Sequence, residues 1–294
     1  MFAVANLLKT FIPKRFRKDK IEIPVVRLSG AIMATGGIGR QTLSIASVAP
    51  MLDKAFSHRA APAVAIIVNS PGGSPVQSRL IYQRIRDLAR EKKKRVLVFV
   101  EDVAASGGYM IACAGDEIIA DPSSIVGSIG VVSGSFGFVE AINKLGIERR
   151  VYTAGRNKVT LDPFQPQKEE DVERLKRLQL DVHATFIDLV RGARRDKLAD
   201  DDDLFTGLFW SGKQAVGLGL VDRLGDLHGV LRELYGDKAV PKLCTAKTGL
   251  FGRAKPGVAL GAPLSDVAGD IGAGAVREVH ALAEERLLWG RFGL

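Results

Sequence analysis

Two short runs constrain this chain more than anything else in it. Ala63 to Val68 and Arg95 to Val100 are almost wholly apolar and rich in β-branched residues, and a helical pattern from about Ser74 to Glu91 lies between them. A strand with apolar side chains on both faces must be covered on both faces, and strands separated by helices run parallel. The alternation extends outward. Ile23 to Leu28 reads as a strand ending at Ser29-Gly30, and residues 44 to 58 carry helical periodicity. Shorter strand-like pieces fall at 117 to 120, 125 to 132 and 149 to 153, and a long charged helix spans about 168 to 195. The pattern predicts an α/β fold with a mostly parallel sheet flanked by helices, in one domain over residues 21–246. A basic amphipathic segment, 1–20, precedes it, and a Gly/Ala-rich connector with a C-terminal helix, 247–294, follows.

The chain has 294 residues, 46% apolar and 26% charged, a balance that suits a soluble globular protein. No apolar run reaches 18 residues, so no transmembrane helix is expected. Cys113 and Cys244 stand 131 positions apart, with no partners at metal-ligand spacing. This usage suggests a reducing, cytoplasmic compartment and neither a disulfide framework nor a metal site.

Of the net charge of +9, residues 1–20 hold +5 (Lys9, Lys14, Arg15, Arg17, Lys18 and Lys20 against Asp19), which leaves +4 for the other 274 residues. So mild an excess, with 6% aromatic residues, argues against nucleic-acid binding. In the same segment Val4, Leu7, Leu8, Phe11 and Ile12 recur at helical spacing before Pro13. Such a helix can lie peripherally on the inner face of an anionic membrane, or pack on its own domain or on a neighbouring subunit. At the other end Val276, Val279, Leu282 and Leu287 mark a helical stripe that either packs on another copy or frays.

In parallel sheets, functional groups gather in loops at the carboxyl ends of strands. Two such loops stand out: Asn69-Ser70-Pro71-Gly72-Gly73-Ser74, and Glu101-Asp102-Val103-Ala104-Ala105-Ser106-Gly107-Gly108 with a helix opening at Tyr109. Each puts glycine where strand turns into helix and leaves backbone N–H groups uncovered. Such groups can hold the oxyanion formed when a carbonyl is attacked. Alone, the first loop is an ordinary turn, and Ser106 is what an ordinary N-cap looks like. Together they point to acyl transfer.

A serine nucleophile needs a base. His58, His183, His228 and His280 all fall outside the glycine loops and read as surface residues. A lysine is the remaining class. At its solution pKa of about 10.4 it is a poor base near neutrality, so it must sit in apolar surroundings that lower that value by about 3 units. Lys92, Lys93 and Lys94 lie in a charged helix end and do not qualify. Lys158, after a strand-like piece and Gly155, is a candidate that the pattern alone does not single out.

Four motifs in one order carry a resemblance. Asn69-Ser70-Pro71-Gly72-Gly73, Ala104-Ala105-Ser106-Gly107-Gly108-Tyr109, Gly127-Ser128-Ile129-Gly130-Val131 and Gly155-Arg156-Asn157-Lys158 resemble the signal peptide peptidase SppA family over about residues 23 to 245. Trp210-Ser211-Gly212-Lys213-Gln214-Ala215 and Gly219-Leu220-Val221-Asp222 extend the likeness. The resemblance implies the fold of Clp protease and the crotonases, with repeated β-β-α units. It also implies a Ser–Lys dyad and no cofactor. In it Ser106 matches the nucleophile, Lys158 the general base and Ser128 the hydroxyl that holds the amine, with the Gly73 and Gly107 N–H groups as oxyanion hole. It further implies a peptide substrate, such as remnant signal peptides, and a homo-oligomeric ring or dome whose dyads are shared between adjacent subunits or tandem domains. Family members commonly carry a membrane-spanning anchor where this chain has its basic stretch. Two rival readings are a crotonase-like acyl-CoA enzyme, which needs neither Ser106 nor Lys158, and a catalytically silent membrane-associated scaffold.

Overall fold

A computed structural model describes residues 20–34, 42–245, 283 and 286–293. The apolar stripe and most of the basic cluster of 1–20, the Gly/Ala-rich connector and most of the expected C-terminal helix lie outside the described residues.

Among the described residues eight strands form one sheet. They are β1 (Ile21–Ser29), β2 (Ala63–Ser70), β3 (Arg95–Ala105), β4 (Glu117–Ala120), β5 (Ile125–Gly127), β6 (Phe209–Ser211), β7 (Arg223–Leu224) and β8 (Ala239–Leu243). Their order is β6-β5-β3-β2-β1-β8, with β4 on β3 and β7 on β4, and every pairing but β5 with β6 is parallel. β3 therefore forks. Its first half, Leu97 to Val100, pairs with β4, and its end, Val103 to Ala105, pairs with β5. The mostly parallel α/β architecture expected from the alternating pattern is present.

All eight residues of β2 are buried, which is why that run carries no polar alternation. One sheet face lays Val64, Ile66, Val68, Val96 and Val98 against helices α1 (Ile45–Phe56), α2 (Pro75–Lys92) and α3 (Gly107–Ala112). Ser44 closes a capping box on α1, and Ser74 caps α2 just ahead of Pro75, so both helices start where their sequences put a capping hydroxyl. The other face lays Ile23, Val25, Leu97 and Phe99 against Val230 and Leu231 of a later helix, Leu227–Tyr235. Towards the end of β3, Val103 and Ala105 are covered by Trp289 and Phe292, whose ring meets Phe209 edge-on at 5.1 Å. The described end of the chain thus packs on its own sheet.

Four expectations change. β3 continues through 101 to 105, where Glu101 and Asp102 suggest a loop, because Arg27 and Asn69 take up those carboxylates. α3 opens at Gly107 rather than Tyr109. β5 stops at Gly127, and 149 to 153 forms no strand; the arm from 131 to 168 pairs with no strand of the sheet and contributes only a short helix, α4 (Val139–Lys144).

Behind α3 lies a buried ion pair. Arg194, 2% exposed, ends the long helix α5 (Glu169–Arg194) and donates to both carboxylate oxygens of Asp222 at 2.9 and 3.0 Å and to the Gly219 carbonyl at 2.8 Å. Asp222 also accepts from Ile118 N–H and Lys197. Tyr109 of α3 donates to the Leu220 carbonyl in the same turn. Burial pushes the Asp222 carboxyl up, but the bonds from Arg194, Lys197 and Ile118 outweigh it and hold the pKa at about 2. Because that value is depressed from 3.8, the stabilisation is complete above about pH 4 and fades as pH falls through 2. Asp222→Asn strands the guanidinium and is expected to cost about 3–5 kcal/mol at neutral pH. Urea unfolding at pH 7 and pH 2.5 measures this, and the variant's deficit should narrow at the lower pH.

Candidate active site

Ser106 follows the last residue of β3 at the mouth of α3. Its backbone stands at φ 52°, ψ −122°, a conformation few non-glycine residues adopt. The turn is held by Ser106 N–H to the Gly127 carbonyl at 2.8 Å and by Met110 N–H to the Ser106 carbonyl at 3.0 Å. Ser106 occupies the N-cap position, yet its side chain makes no capping bond and has no partner among the described residues. The ordinary explanation for a serine here, capping, therefore does not hold, and a strained backbone presents an unused, partly exposed hydroxyl.

The first glycine loop lies directly on this turn. A Cβ placed on Gly72, at φ 104°, would sit 2.7 Å from Ser106 Cβ and 3.0 Å from Gly107 N, and one placed on Gly73, at φ 136°, would collide with the Ile32 carbonyl. Only glycine permits that approach. Ile32 N–H donates to the Gly72 carbonyl and Ser74 N–H to the Ile32 carbonyl, so the strand-like bridge consumes the groups on either side of Gly73 N–H. Gly73 N–H itself and Gly107 N–H, in the first turn of α3, have no partner among the described residues. The expected pair of N–H donors is free, and the loops that carry them are in contact.

Ser128 stands one residue past Gly127, as Ser106 stands one past its strand partner Ala105. It too has a positive φ, 53°, and is 4% exposed. Its N–H donates to the Leu208 carbonyl at 2.7 Å, and among the described residues no bond engages its hydroxyl. Parallel pairing of β3 with β5 thus brings both serines to one edge of the sheet.

Lys158 is elsewhere. It closes a turn, its N–H donating to the Gly155 carbonyl at 3.1 Å, and its exposed side chain has neither hydrogen bond nor ion pair among the described residues. Within one chain no bond joins it to Ser106 or Ser128. The arm that carries it is held mainly by its own contacts: Phe138 stacked on Phe164, Arg149 over the Phe164 ring and paired with Asp162. Val132, Phe136, Phe138, Leu145, Ile147, Val151 and Tyr152 are all exposed on it, as are Leu178 and Leu180 of α5.

None of the described histidines reaches a serine. His58 lies 3.2 Å from Glu22, His183 lies 3.1 Å from the Ile129 carbonyl, and His228 sits in the first turn of the helix capped by Asp226; His280 lies outside the described residues. Cys113 is buried, and burial pushes its thiol up to about 12, which makes it a packing residue rather than a nucleophile. Among the described residues no cluster of His, Cys, Asp and Glu could hold a metal ion, and no helix is long and apolar enough to cross a membrane. Reading the sequence missed the packing of Gly72 on Ser106. Its signal is the glycine pair itself, one of which must face another backbone.

A strained, unbonded serine at the end of a mostly parallel sheet, with Gly72 packed on its turn, is an arrangement suited to acyl transfer. Residues 88–241, just over half of the chain, match the sequence profile of Peptidase family S49. The chain belongs to peptidase family S49. A protein called Na(+)/H(+) antiporter NhaA in Brucella abortus is similar along the whole chain at 62% identity, the chain covering 40% of its length. Protease 4 of Haemophilus influenzae is 31% identical over 76% of this chain and 37% of its own. Serine protease SPPA, chloroplastic, of Arabidopsis thaliana is 27% identical over 90% and 39%. The chain therefore spans about two fifths of these relatives.

Proposed function

We propose that the protein is a serine endopeptidase in which Ser106 attacks the peptide carbonyl and Lys158 of a neighbouring copy serves as its base. The observation that carries this reading is the Ser106 hydroxyl, held on a strained turn with Gly72 packed against it, which like the N–H groups of Gly73 and Gly107 has no hydrogen-bond partner among the described residues. As the Oγ–carbon bond forms, the neutral lysine amine takes the hydroxyl proton and the two N–H groups hold the oxyanion. The carbon–nitrogen bond then breaks, and the lysine returns its proton to the departing amine. Water, deprotonated by the same amine, cleaves the acyl-enzyme and releases the acid. Each oxyanion donor lowers the barrier by about 2.7–4 kcal/mol. Ser128, buried next to Gly127, would accept the lysine in place.

The lysine is assigned to a neighbour because its own chain leaves it exposed on an arm of uncovered apolar residues. Covering that arm with a second copy would remove both the apolar surface and the amine from water, and a dry site is what makes lysine a base. A closed homo-oligomeric ring or dome satisfies every copy in turn. The substrate class is unfolded or membrane-associated peptide, including remnant signal peptides, and the compartment is cytoplasmic with residues 1–20 resting on the inner membrane face. The basic charge of that segment supports this. A peptide-library digest read by mass spectrometry tests the function. Wild type should yield cleaved products that Ser106→Ala does not, and identical products from both would overturn the assignment.

A further inference from the structure

Between Val68 and Ser70 strand β2 advances two residues, while its partner β3 advances four, from Val100 to Ala104. The surplus falls where β3 exchanges β4 for β5. A bulge of this kind breaks the ladder and leaves backbone groups to be satisfied some other way. Here side chains satisfy them from both edges. On the β2 side, Asn69 Oδ1 accepts from Val103 N–H at 3.2 Å, and Asn69 Nδ2 donates to Asp102 Oδ2 at 2.6 Å. Gly30 N–H donates to the Asn69 carbonyl, so β1 anchors the same residue from behind. On the far side Ser124, 2% exposed, donates to the Glu101 carbonyl at 2.5 Å, with the Val100 carbonyl 3.3 Å away.

The position of this clamp matters. Asn69 is three residues before Gly72 and four before Gly73, and Val103 is three before Ser106. One carboxamide thus spans the gap between the strand end that carries the first oxyanion donor and the strand end that carries the nucleophile. Slippage there would move Ser106 relative to Gly73 without unfolding either strand.

We propose that Asn69 is a positioning residue for the reaction: by bridging Val103 N–H and Asp102 across the bulge it fixes the register that brings Gly73, Gly107 and Ser106 together. This rests on the reading of Ser106 as nucleophile. Asparagine suits the task because the bridge needs one acceptor and one donor on the same group. An aspartate at position 69 could still accept from Val103 but would set a carboxylate against that of Asp102. Exchanging the pair, Asn69→Asp with Asp102→Asn, restores the bond with donor and acceptor reversed and leaves the acceptor for Val103 in place.

The test compares wild type, Asn69→Asp, Asp102→Asn and the exchanged double variant, with kcat and KM measured separately and active sites titrated. Asn69→Asp should lower kcat per titrated site about 100-fold while KM moves less than about threefold, the response to a misplaced reacting group. Asp102→Asn, which can still accept from Asn69, should stay within about threefold of wild type, and the double variant should recover to within about fivefold. A residue that served only folding would lower the titrated fraction and leave kcat per site unchanged. Hydrogen exchange over residues 70–74 and 103–107 supplies a readout independent of turnover: faster in Asn69→Asp, restored in the double. The inference is overturned if Asn69→Asp keeps kcat and exchange near wild type, or if the double variant is no better than the single. A wild type that cleaves nothing while the exchange pattern holds would instead count against the nucleophile assignment alone.

Discussion

Ser106→Ala leaves the protein folded and slows peptide turnover on the order of 10⁶-fold, the cost of deleting a serine nucleophile outright. Both halves of this expectation follow from the turn. The hydroxyl makes no hydrogen bond among the described residues, so its removal breaks none of theirs, and the stability change should stay within about 0.5 kcal/mol. Alanine inherits the positive φ without relief, so it gains nothing from relaxed strain either. Thermal unfolding and turnover measured on the same preparation separate the two. A serine kept for capping or packing would show the reverse, a falling melting temperature with activity retained.

The second large effect concerns the arm. Phe136→Asp with Tyr152→Asp should dissociate the assembly and take the activity with it, while each chain stays folded. Phe136 is 75% and Tyr152 89% exposed, so neither supports its own domain. Burying an apolar side chain of this size contributes about 1.5–3 kcal/mol. Association costs about 4–15 kcal/mol, so several of the exposed side chains of the arm and of α5 must be covered together. Placing two carboxylates in such a junction removes two contributions and adds two desolvation costs. Sedimentation should show smaller particles with Ser106 intact and turnover lost. Unchanged particle size with full activity would mean the arm is not the junction.

Much of the fold was legible because burial on both faces leaves a plain mark. The all-apolar runs of β2 and the first half of β3, and the starts of α1 near residue 44 and of α2 near Ser74, could be read directly. The end of β3 was not, because Glu101 and Asp102 look like loop residues until Arg27 and Asn69 answer them across the sheet. β6, β7 and β8 have two to five residues each, too short for a period to register. The strand-like piece at 149 to 153 has the composition of a strand and no paired partner, for pairing is a property of two segments rather than one. At the site, the glycine loops announced themselves, since close backbone approach leaves few alternatives to glycine. Their contact, Gly72 against Ser106, depends on long-range register and stayed hidden. Lys158 stood as one candidate in the pattern and was singled out only through resemblance, because nothing in its turn binds it to the serines within one chain.

Mixing two dead variants tests the shared dyad most directly. Ser106→Ala and Lys158→Ala, each inactive alone, are co-expressed in equal amounts and the assembled particles assayed. With serine and lysine drawn from adjacent copies, random assembly rebuilds about a quarter of the junctions intact and activity returns to about that fraction of wild type. A mixture as inactive as its two components would contradict a dyad built between subunits.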